Sequence, residues 1–397
     1  MSSETYSPPD IFDPPEENSL YPELFRLHRE IHEFSQNLDD FPRLLEIQRR
    51  LITAISEAER KIRGAKKASS DPRGWQYVRY NFLCLGDCLA FLYMDRFALK
   101  QTFFDVDTVN PKQSGGFITD KAGHANEVSL LEDAISHNVP AVLCDITNVL
   151  RYGDICLLGD SDPVPIEIKS SKTKDRRGKR QNSKLKTLYS FLASDRSDDF
   201  RGLPGTTFRT EFSVAPKSYS NQLQVAIVRA NLNGSSSFEV DGCLKVVVIM
   251  EDPDYEALFG GFDSPRVLVN SVNQIKTNKL WGCYYPYPLT LSEPSHYEGF
   301  VRGEIHIFTL LDVEAFEEKL ALEEGTSLSV DLDENDIQCQ IHFSNLFADE
   351  QEAYFIIGEH MMCRMWTDFL CPSWIVQSSI SSVVSNVEAI REAADSS

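Results

Sequence analysis

The sequence lacks the features that mark exported and membrane-spanning proteins. Its nine cysteines include no Cys-x-x-Cys pair, and their odd number argues against a disulfide framework. The N-terminal segment is rich in acid and proline, whereas a signal peptide needs a basic segment followed by an apolar one. The longest apolar run, residues 82–94, is interrupted by Gly86 and Asp87 and is too short to cross a bilayer. We therefore expect a cytoplasmic protein without a membrane segment.

The sequence also lacks common nucleotide-binding and hydrolase motifs. Neither of its Gly-Gly pairs has the context of a phosphate loop, and no Ser-His-Asp or Cys-His arrangement can be inferred from spacing. His28 and His32 lie one helical turn apart, but no third ligand is evident in the sequence. An exposed helix face is the better account of these two histidines.

Negative charge, by contrast, is abundant and unevenly distributed. The chain has 60 acidic and 39 basic residues, a net charge of −21 at pH 7. Between Lys169 and Lys186, nine basic residues stand against Asp175 alone, a local charge of +8 that leaves −29 on the rest. Such a run is most often a solvated loop, but it is also the part of this chain that a polyanion would bind.

The length of 397 residues and an apolar content of 42% predict two or three folded domains. Changes in pattern predict four segments: a disordered N-terminus (residues 1–18), a helical N-terminal region (19–110), an α/β domain (111–252) and an α+β C-terminal accessory region (253–397). Within the α/β domain, the expected order is a helix, three strands, a helix and a final strand.

A predicted hairpin, "YGDICLLGDSDPVPIEIKSSK" (residues 152–172), places charged side chains in apolar strands. Because side chains alternate along a strand, Glu167 and Lys169 point one way while Ile168 points the other. Antiparallel pairing of the two strands brings Asp154 close to Glu167. The hairpin therefore presents two carboxylates and an ammonium together.

A third carboxylate comes from the helix predicted over residues 126–137. On a wheel of about 100° per residue, Glu127 falls within the apolar stripe that includes Leu131 and Ile135, whereas Asp133 lies well outside it. A carboxylate that faces a sheet needs a cation as its partner.

Inward carboxylates and a lysine suit metal-dependent hydrolysis. Carboxylate oxygens are hard ligands for Mg²⁺, and the bound ion lowers the pKa of a water to make a nucleophile. A lysine can orient that water or neutralise charge that develops on a phosphate. The basic run that follows the hairpin would hold a phosphate backbone. The combination predicts hydrolysis of phosphodiester bonds.

Over residues 115–250 the chain resembles the PD-(D/E)XK, or restriction-endonuclease-like, nucleases. The resemblance is carried by Glu127, by Gly153-Asp154, by "EIK" at Glu167 to Lys169, and by the order of the elements. It implies an α-βββ-α-β core with one mixed sheet, flanked here by a helical N-terminal and an α+β C-terminal region. Glycine at 153, where the family pattern has proline, is a frequent variation.

Residue roles follow from this resemblance. Asp154 and Glu167 would bind Mg²⁺, or Mn²⁺ in its place, Lys169 would assist the attacking water, and Glu127 would complete the metal site. A polar residue on the next helix, Gln181 or Lys184, is a weaker candidate. The residues expected to contact nucleic acid are Lys172, Lys174, Arg176, Arg177, Lys179, Arg180, Gln181 and Lys184.

Two further charged residues lie close to the hairpin. Asp145 ends the first predicted strand and would lie near a metal if it belonged to the site. Arg151 precedes Asp154 and would then touch a phosphate. A turn cap and a local ion pair are the better account of the two residues on sequence alone.

The expected function is that of a Mg²⁺-dependent nuclease, with DNA ahead of RNA as substrate and antiviral defence or DNA repair as plausible roles. Two alternatives stay open: an inactive nuclease fold that binds nucleic acid or serves assembly, and an acidic protein that mimics DNA. The −29 outside the basic run suggests an enzyme restrained until a protein partner or a particular structure presents its substrate. The oligomeric state, a homodimer included, is left open.

Overall fold

The computed structural model shows a mixed α/β protein of helices and small antiparallel sheets. The residues it describes are 14–121, 123–159, 161–168, 176–210, 212, 214–251, 254–262, 264–274, 282–320, 325–333, 336–344 and 353–395. None of the helices in these ranges combines the length and the apolar character needed to span a membrane. All nine cysteines are free thiols.

The helices are α1 (Tyr21–Phe34), α2 (Phe41–Lys67), α3 (Arg73–Tyr93), α4 (Arg96–Lys100), α5 (His124–Ser136), α6 (Arg176–Ser194), α7 (Ser220–Asn233), α8 (Tyr255–Phe259), α9 (Tyr287–Thr290), α10 (Pro294–Arg302), α11 (Val313–Lys319), α12 (Glu359–Met362), α13 (Arg364–Thr367) and α14 (Pro372–Asp395). Short 3₁₀ turns span Ile118–Asp120, Cys144–Ile146 and Phe200–Gly202.

The strands are β1 (Ala141–Leu143), β2 (Ile155–Leu157), β3 (Val164–Ile166), β4 (Arg196–Asp198), β5 (Thr206–Phe208), β6 (Ser235–Val240), β7 (Leu244–Ile249), β8 (Val267–Ser271), β9 (His306–Asp312), β10 (Thr326–Asp333), β11 (Asp336–Phe343) and β12 (Ala353–Ile357). They form sheets of order β1-β2-β3, β4-β5, β6-β7-β9-β8 and β10-β11-β12.

The chain divides into two compact units. The first contains Met1–Thr207 and Asn273–Glu304, and the second contains Phe208–Val272 and Ile305–Ser397. The segment predicted as one α/β domain, residues 111–252, is therefore shared between the two units.

The N-terminal part of the first unit is helical and contains α1, α2 and α3. Residues 82–91 of α3 are buried on every side, which accounts for the long apolar run there. Residues 1–13 of the segment predicted to be disordered lie outside the described residues. Further on, the carbonyl of Pro15 accepts a hydrogen bond from the Tyr21 hydroxyl at 2.9 Å.

The exposed-face interpretation of His28 is wrong. Its side chain is buried, its ring stacks on Tyr297 with centroids 4.1 Å apart, and its Nε2 lies 3.1 Å from the carbonyl of Pro288. Burial lowers the pKa of His28 to about 3, so the imidazole is neutral. His32 also contacts the Pro288 carbonyl, at 2.9 Å. Both histidines therefore join α1 to the α9 region.

Three short strands form the sheet that carries the predicted hairpin. β1 pairs antiparallel with β2, and β2 pairs antiparallel with β3 in a register that sets Ile155 opposite Ile166. The same register, continued by one residue, sets Asp154 opposite Glu167. Helix α5 precedes this sheet, and α6 follows it and begins at Arg176.

The outer edge of β1 is covered by a side chain. The amide of Gln48, on α2, donates to the Ala141 carbonyl at 2.9 Å and accepts from the Leu143 N–H at 3.1 Å. These backbone groups point away from β2, because β1 bonds to β2 through the alternate residues. Gln48 thus takes the hydrogen bonds that a fourth strand would make there.

The fourth strand of the implied mixed sheet belongs to a different sheet. The apolar run "LKVVVI" forms β7, which pairs antiparallel with β6 and β9 in the second unit. Its burial on both faces agrees with the sequence pattern, since β7 lies inside the order β6-β7-β9-β8. A single mixed sheet that includes this strand is therefore not formed by the described residues.

The rest of the second unit is an α+β assembly. Helix α7 packs on β6 and β7, and α11 packs on β9 and β10. The C-terminal sequence is rich in serine, a composition that predicts a tail, but Pro372–Asp395 form the helix α14. The Trp374 indole of α14 donates to the Val214 carbonyl at 3.1 Å.

Helix α3 holds the loop between β1 and β2 in the first unit. A Cβ added at Gly86 would lie 1.8 Å from the Ile146 carbonyl oxygen, so only glycine permits this approach. The neighbouring Asp87 carboxylate accepts hydrogen bonds from the backbone N–H groups of Asn148 and Val149 at 2.7 and 2.9 Å. Burial raises the pKa of Asp87 to about 7, against the opposing effect of these hydrogen bonds.

Gly86→Ala is expected to lower the free energy of unfolding by about 2–3 kcal/mol, because the added methyl overlaps the Ile146 carbonyl. Gly64→Ala is the matched control. Gly64 is exposed on α2, and a Cβ added there would have no heavy atom within 4 Å, so alanine should stabilise by about 0.5–1 kcal/mol. Urea unfolding followed by circular dichroism gives both values, and equal effects of the two variants would contradict the close approach.

Candidate active site

Glu127 is held inward by helix α5. It lies on the buried face with Leu131 and Ile135, and its residue exposure is 5%. Its position in the first turn places the carboxylate near the positive end of the helix dipole. The His124 Nδ1 lies 3.6 Å from one carboxylate oxygen.

Asp154 is fixed by the backbone of the hairpin. Its N–H donates to the Ile166 carbonyl at 2.8 Å, and one side-chain oxygen accepts from the Ile168 N–H at 2.7 Å. The preceding Gly153 has φ +74°, and a Cβ there would lie 2.7 Å from the Ile166 carbonyl oxygen. Because proline fixes φ near −65°, the family's usual proline does not fit this backbone.

Glu167 follows β3 directly and is half-buried opposite Asp154. Burial and the charge of Asp154 raise the pKa of Glu167, and the ammonium groups of Lys112 and Lys121 oppose that rise. Glu167 therefore lies within the electrostatic reach of Asp154 and of two lysines.

Asp145 joins these residues from the 3₁₀ turn after β1. Its side chain is 9% exposed, and the backbone of Gly115 packs against it so closely that a Cβ there would lie 2.8 Å from Oδ1. We call the four side chains Glu127, Asp145, Asp154 and Glu167 the carboxylate cluster.

Lys121 is the cation of the carboxylate cluster. Its Nζ lies 2.5 Å from Asp145 Oδ2, 3.1 Å from Asp154 Oδ1 and 3.2 Å from Glu127 Oε1. Burial lowers the pKa of Lys121, but the three carboxylates outweigh burial and raise it above its ordinary value. The ammonium is therefore charged, and it occupies the position on which three carboxylates converge.

The segment that carries Lys121 is anchored to the N-terminal helices. Glu59 on α2 is fully buried and accepts from the N–H groups of Ile118 and Thr119 at 3.2 and 3.1 Å. The charge of Glu59 is matched by Arg79 on α3, at 3.0 Å. The N-terminal helices thus set the position of Lys121.

The carboxylate cluster carries more negative charge than its lysines neutralise. Burial raises the pKa of Asp145, and Glu127 and Asp154 add to the rise while Lys121 opposes it. For Glu127 burial acts in the same direction, but the His124 hydrogen bond and Lys121 hold its pKa below the ordinary value. With Lys112 counted as a second ammonium, four carboxylates face two lysines, a surplus of two negative charges.

Lys112 lies on the Glu167 side of the cluster, and Arg151 is its hydrogen-bond partner. Lys112 donates to the Arg151 carbonyl, and its Nζ lies 4.5 Å from the Tyr152 ring centroid. Burial lowers the pKa of Lys112, and Glu167 is the main opposing charge. The Arg151 guanidinium donates to the Asn148 carbonyl at 2.9 Å and stacks on an aromatic ring, in agreement with a local structural role.

The predicted nucleic-acid-binding residues are only partly described. Lys172 and Lys174 lie outside the described residues, and Arg176 and Arg177 begin α6 with side chains that are likewise not described. Lys169, the lysine predicted to assist the attacking water, also lies outside the described residues.

The described residues of that set lie on α6. Lys179 and Arg180 are exposed, and Gln181 is half-buried. Lys184 is engaged by Asp105 and Asp107, with Nζ–oxygen distances of 2.6 and 2.8 Å. The opposite face of α6 packs Leu188 and other apolar side chains into a buried core.

The donor set suits a hard divalent cation. All four members of the carboxylate cluster offer oxygen ligands, and an ammonium already marks the point where three of them meet. Among the described residues, no group of three or more His, Cys, Asp or Glu side chains forms a ready-made metal site. The three carboxylates instead surround Lys121.

Two members of this arrangement escape prediction from sequence. Asp145 is better explained on sequence alone as a turn cap, although its position at the end of a strand beside the hairpin is a signal for the site. Lys121 carries no motif. Its only sequence signal is its position, six residues before Glu127 and just ahead of the helix that carries this glutamate.

Comparisons with models of known protein families, with curated proteins and with solved structures found no match. The resemblance to PD-(D/E)XK nucleases therefore stays a prediction that depends on the residues described above.

Gly153→Ala is expected to lower the free energy of unfolding by about 2–3 kcal/mol, because alanine is strained at φ +74° and its methyl overlaps Ile166. Gly116→Ala is the control, since a Cβ at Gly116 has no heavy atom within 4 Å. It should change the stability by about 0.5 kcal/mol or less. The midpoints of urea unfolding measure the stability of both variants. A Gly153→Ala protein as stable as Gly116→Ala would contradict the close approach of Gly153 to Ile166.

Proposed function

We propose that this protein is a Mg²⁺-dependent nuclease that hydrolyses phosphodiester bonds, with DNA ahead of RNA as its substrate. The observation that carries the proposal is the convergence of Glu127, Asp145 and Asp154 on one cation position, with Glu167 opposite Asp154 in the hairpin register. The order α5-β1-β2-β3-α6 is the part of the PD-(D/E)XK core that supports it.

The carboxylate cluster would hold the metal ion. Asp154 and Glu167 would be its principal ligands, while Asp145 and Glu127 would complete the negative site. When bound, Mg²⁺ polarises a phosphate oxygen and lowers the pKa of a bound water. Asp145 is an addition to the ligands inferred from the family resemblance.

The remaining steps fall to the protein's own residues. The Ile168 N–H holds one oxygen of Asp154, which leaves the other directed at the cation position. Lys169 is expected to orient the attacking water or to neutralise charge on the phosphate. The basic residues of α6 would bind the phosphate backbone as point charges, without reading its sequence.

A second candidate is a nucleic-acid-binding or assembly module without catalysis. The observation that favours it is that Lys121 already neutralises part of the carboxylate cluster. The carboxylates can therefore have a structural role, in which they hold the segment that carries Lys121 in place. This candidate predicts binding of nucleic acid without any metal-dependent cleavage.

Asp154→Asn and Glu127→Gln are expected to reduce cleavage about 100-fold or more, because each removes a charged ligand for the ion. Glu132→Gln is the matched control on the same helix, since Glu132 pairs with Arg49 at 2.8 Å and is 41% exposed. Cleavage of plasmid, linear DNA and RNA would be measured in Mg²⁺, Mn²⁺ and EDTA.

Cleavage by wild type in EDTA, or an Asp154→Asn protein as active as Glu132→Gln, would refute the metal-dependent mechanism. Binding of nucleic acid without cleavage in any of these ions would favour the second candidate. Lys169→Ala tests the expected water-orienting lysine, and a loss of rate with unchanged affinity for nucleic acid would support that role.

The double variant Lys179→Gln, Arg180→Gln is expected to weaken nucleic-acid binding similarly for all sequences and to reduce the salt dependence by about two counterions. Both side chains are exposed on α6. The control, Lys66→Gln with Lys67→Gln at the exposed end of α2, removes the same charge elsewhere. Fluorescence anisotropy against salt concentration measures the slope, and equal slopes for both double variants would exclude α6 as the binding helix.

A further inference from the structure

We infer that Lys121 is an internal cation that a divalent metal ion must displace from the carboxylate cluster, so that this lysine sets both the metal affinity and the resting state of the site. The inference rests on the metal site of the proposed function and assigns a role to a residue outside the family pattern. Lys121 would act as a positioning residue that opposes metal binding.

The geometry of Lys121 is that of a bound ion. One nitrogen lies within 3.2 Å of an oxygen from Asp145, from Asp154 and from Glu127, which reach it from three separate elements. A divalent cation that used the same oxygens would need the same position. Ammonium and metal ion cannot share it, because both volume and charge forbid simultaneous occupancy.

The lysine has a route out of the cluster. Its side chain is 30% exposed, whereas those of Asp145 and Glu127 are 9% and 7% exposed. Rotation about its side-chain bonds can therefore carry the ammonium to solvent while the carboxylates stay in place.

The backbone ahead of this lysine is held firmly. Glu59 bonds the N–H groups of Ile118 and Thr119, and Arg63 reaches the Thr119 hydroxyl at 2.6 Å. The ammonium consequently returns to the same position whenever the metal leaves. Displacement is thus a side-chain exchange that needs no movement of the sheet.

A released ammonium would stand at the mouth of the site. A phosphate that approached a metal ion in the carboxylate cluster would meet Lys121 as a free positive charge. The lysine would therefore favour a metal-free site when substrate is absent, and it would stabilise bound metal once a phosphate is present.

The test measures Mn²⁺ binding directly, by electron paramagnetic resonance of the free ion and by calorimetry. Lys121→Met should bind Mn²⁺ about tenfold or more tightly than wild type, because a competing positive charge is removed. Lys121→Arg, which keeps the charge, should bind no more tightly than wild type. Lys217→Met, which removes an exposed lysine, should match wild type.

Wild type supplies a second measurement that does not depend on the folding of a variant. Acetylation of Lys121 by an amine-reactive reagent, followed by peptide mass spectrometry, should be slow in metal-free protein and faster with saturating Mn²⁺. Reactivity of Lys66 provides the internal reference, since its side chain is exposed.

Three results would overturn the inference. They are Mn²⁺ binding by Lys121→Met that is no tighter than that of wild type, a lack of Mn²⁺ binding by both proteins, and acetylation of Lys121 that does not rise with Mn²⁺. The nuclease proposal fails separately. Wild type that cleaves with Mg²⁺ while Lys121→Met binds Mn²⁺ no better would retain the nuclease and reject the exchange. Tighter Mn²⁺ binding by Lys121→Met, together with a wild type that does not cleave nucleic acid, would retain the exchange and reject the nuclease.

Discussion

The requirement that buried carboxylates have a cation governs the architecture of the first unit. Asp145, Asp154 and Glu127 come from a 3₁₀ turn, a hairpin and a helix, and each would be costly to bury alone. Lys121 makes their approach possible, yet one ammonium does not balance them. The remaining surplus of negative charge distinguishes this cluster from an ordinary structural ion pair, in which the charges match.

Distant helices place the groups that form the cluster. Glu59 fixes the segment before Lys121, Gln48 completes the outer edge of β1, and Asp87 binds the loop that leads from β1 to the hairpin. All three are buried polar side chains that form hydrogen bonds with backbone groups outside their own helix. The N-terminal helices are therefore part of the framework of the site, although the sequence predicts them as a region separate from the α/β domain.

Local rules account for the parts of the site that can be predicted from sequence. Strand alternation and a short turn are enough to set Asp154 opposite Glu167, and helical periodicity is enough to turn Glu127 inward. Lys121 and Asp145 escape prediction because loop positions depend on partners such as Glu59, far away in the chain. The strand β7 shows the same limit: a continuous apolar run indicates burial on both faces, but it does not say which sheet the strand joins.

Charge links the carboxylate cluster to the basic helix that follows it. Helix α6 contains no acidic residue and would attract a polyanion, whereas the carboxylate cluster beside β3 would repel one. A divalent ion that displaces Lys121 replaces one positive charge in the cluster by two, and the released ammonium stays beside the site, so loading the ion would lower the barrier to a phosphate. Metal and nucleic acid would therefore each raise the affinity of the site for the other, by the reciprocity that governs linked binding equilibria. If α6 binds nucleic acid as proposed, the overall acidity of the chain would weaken that binding until the cluster is loaded, without a separate inhibitory domain.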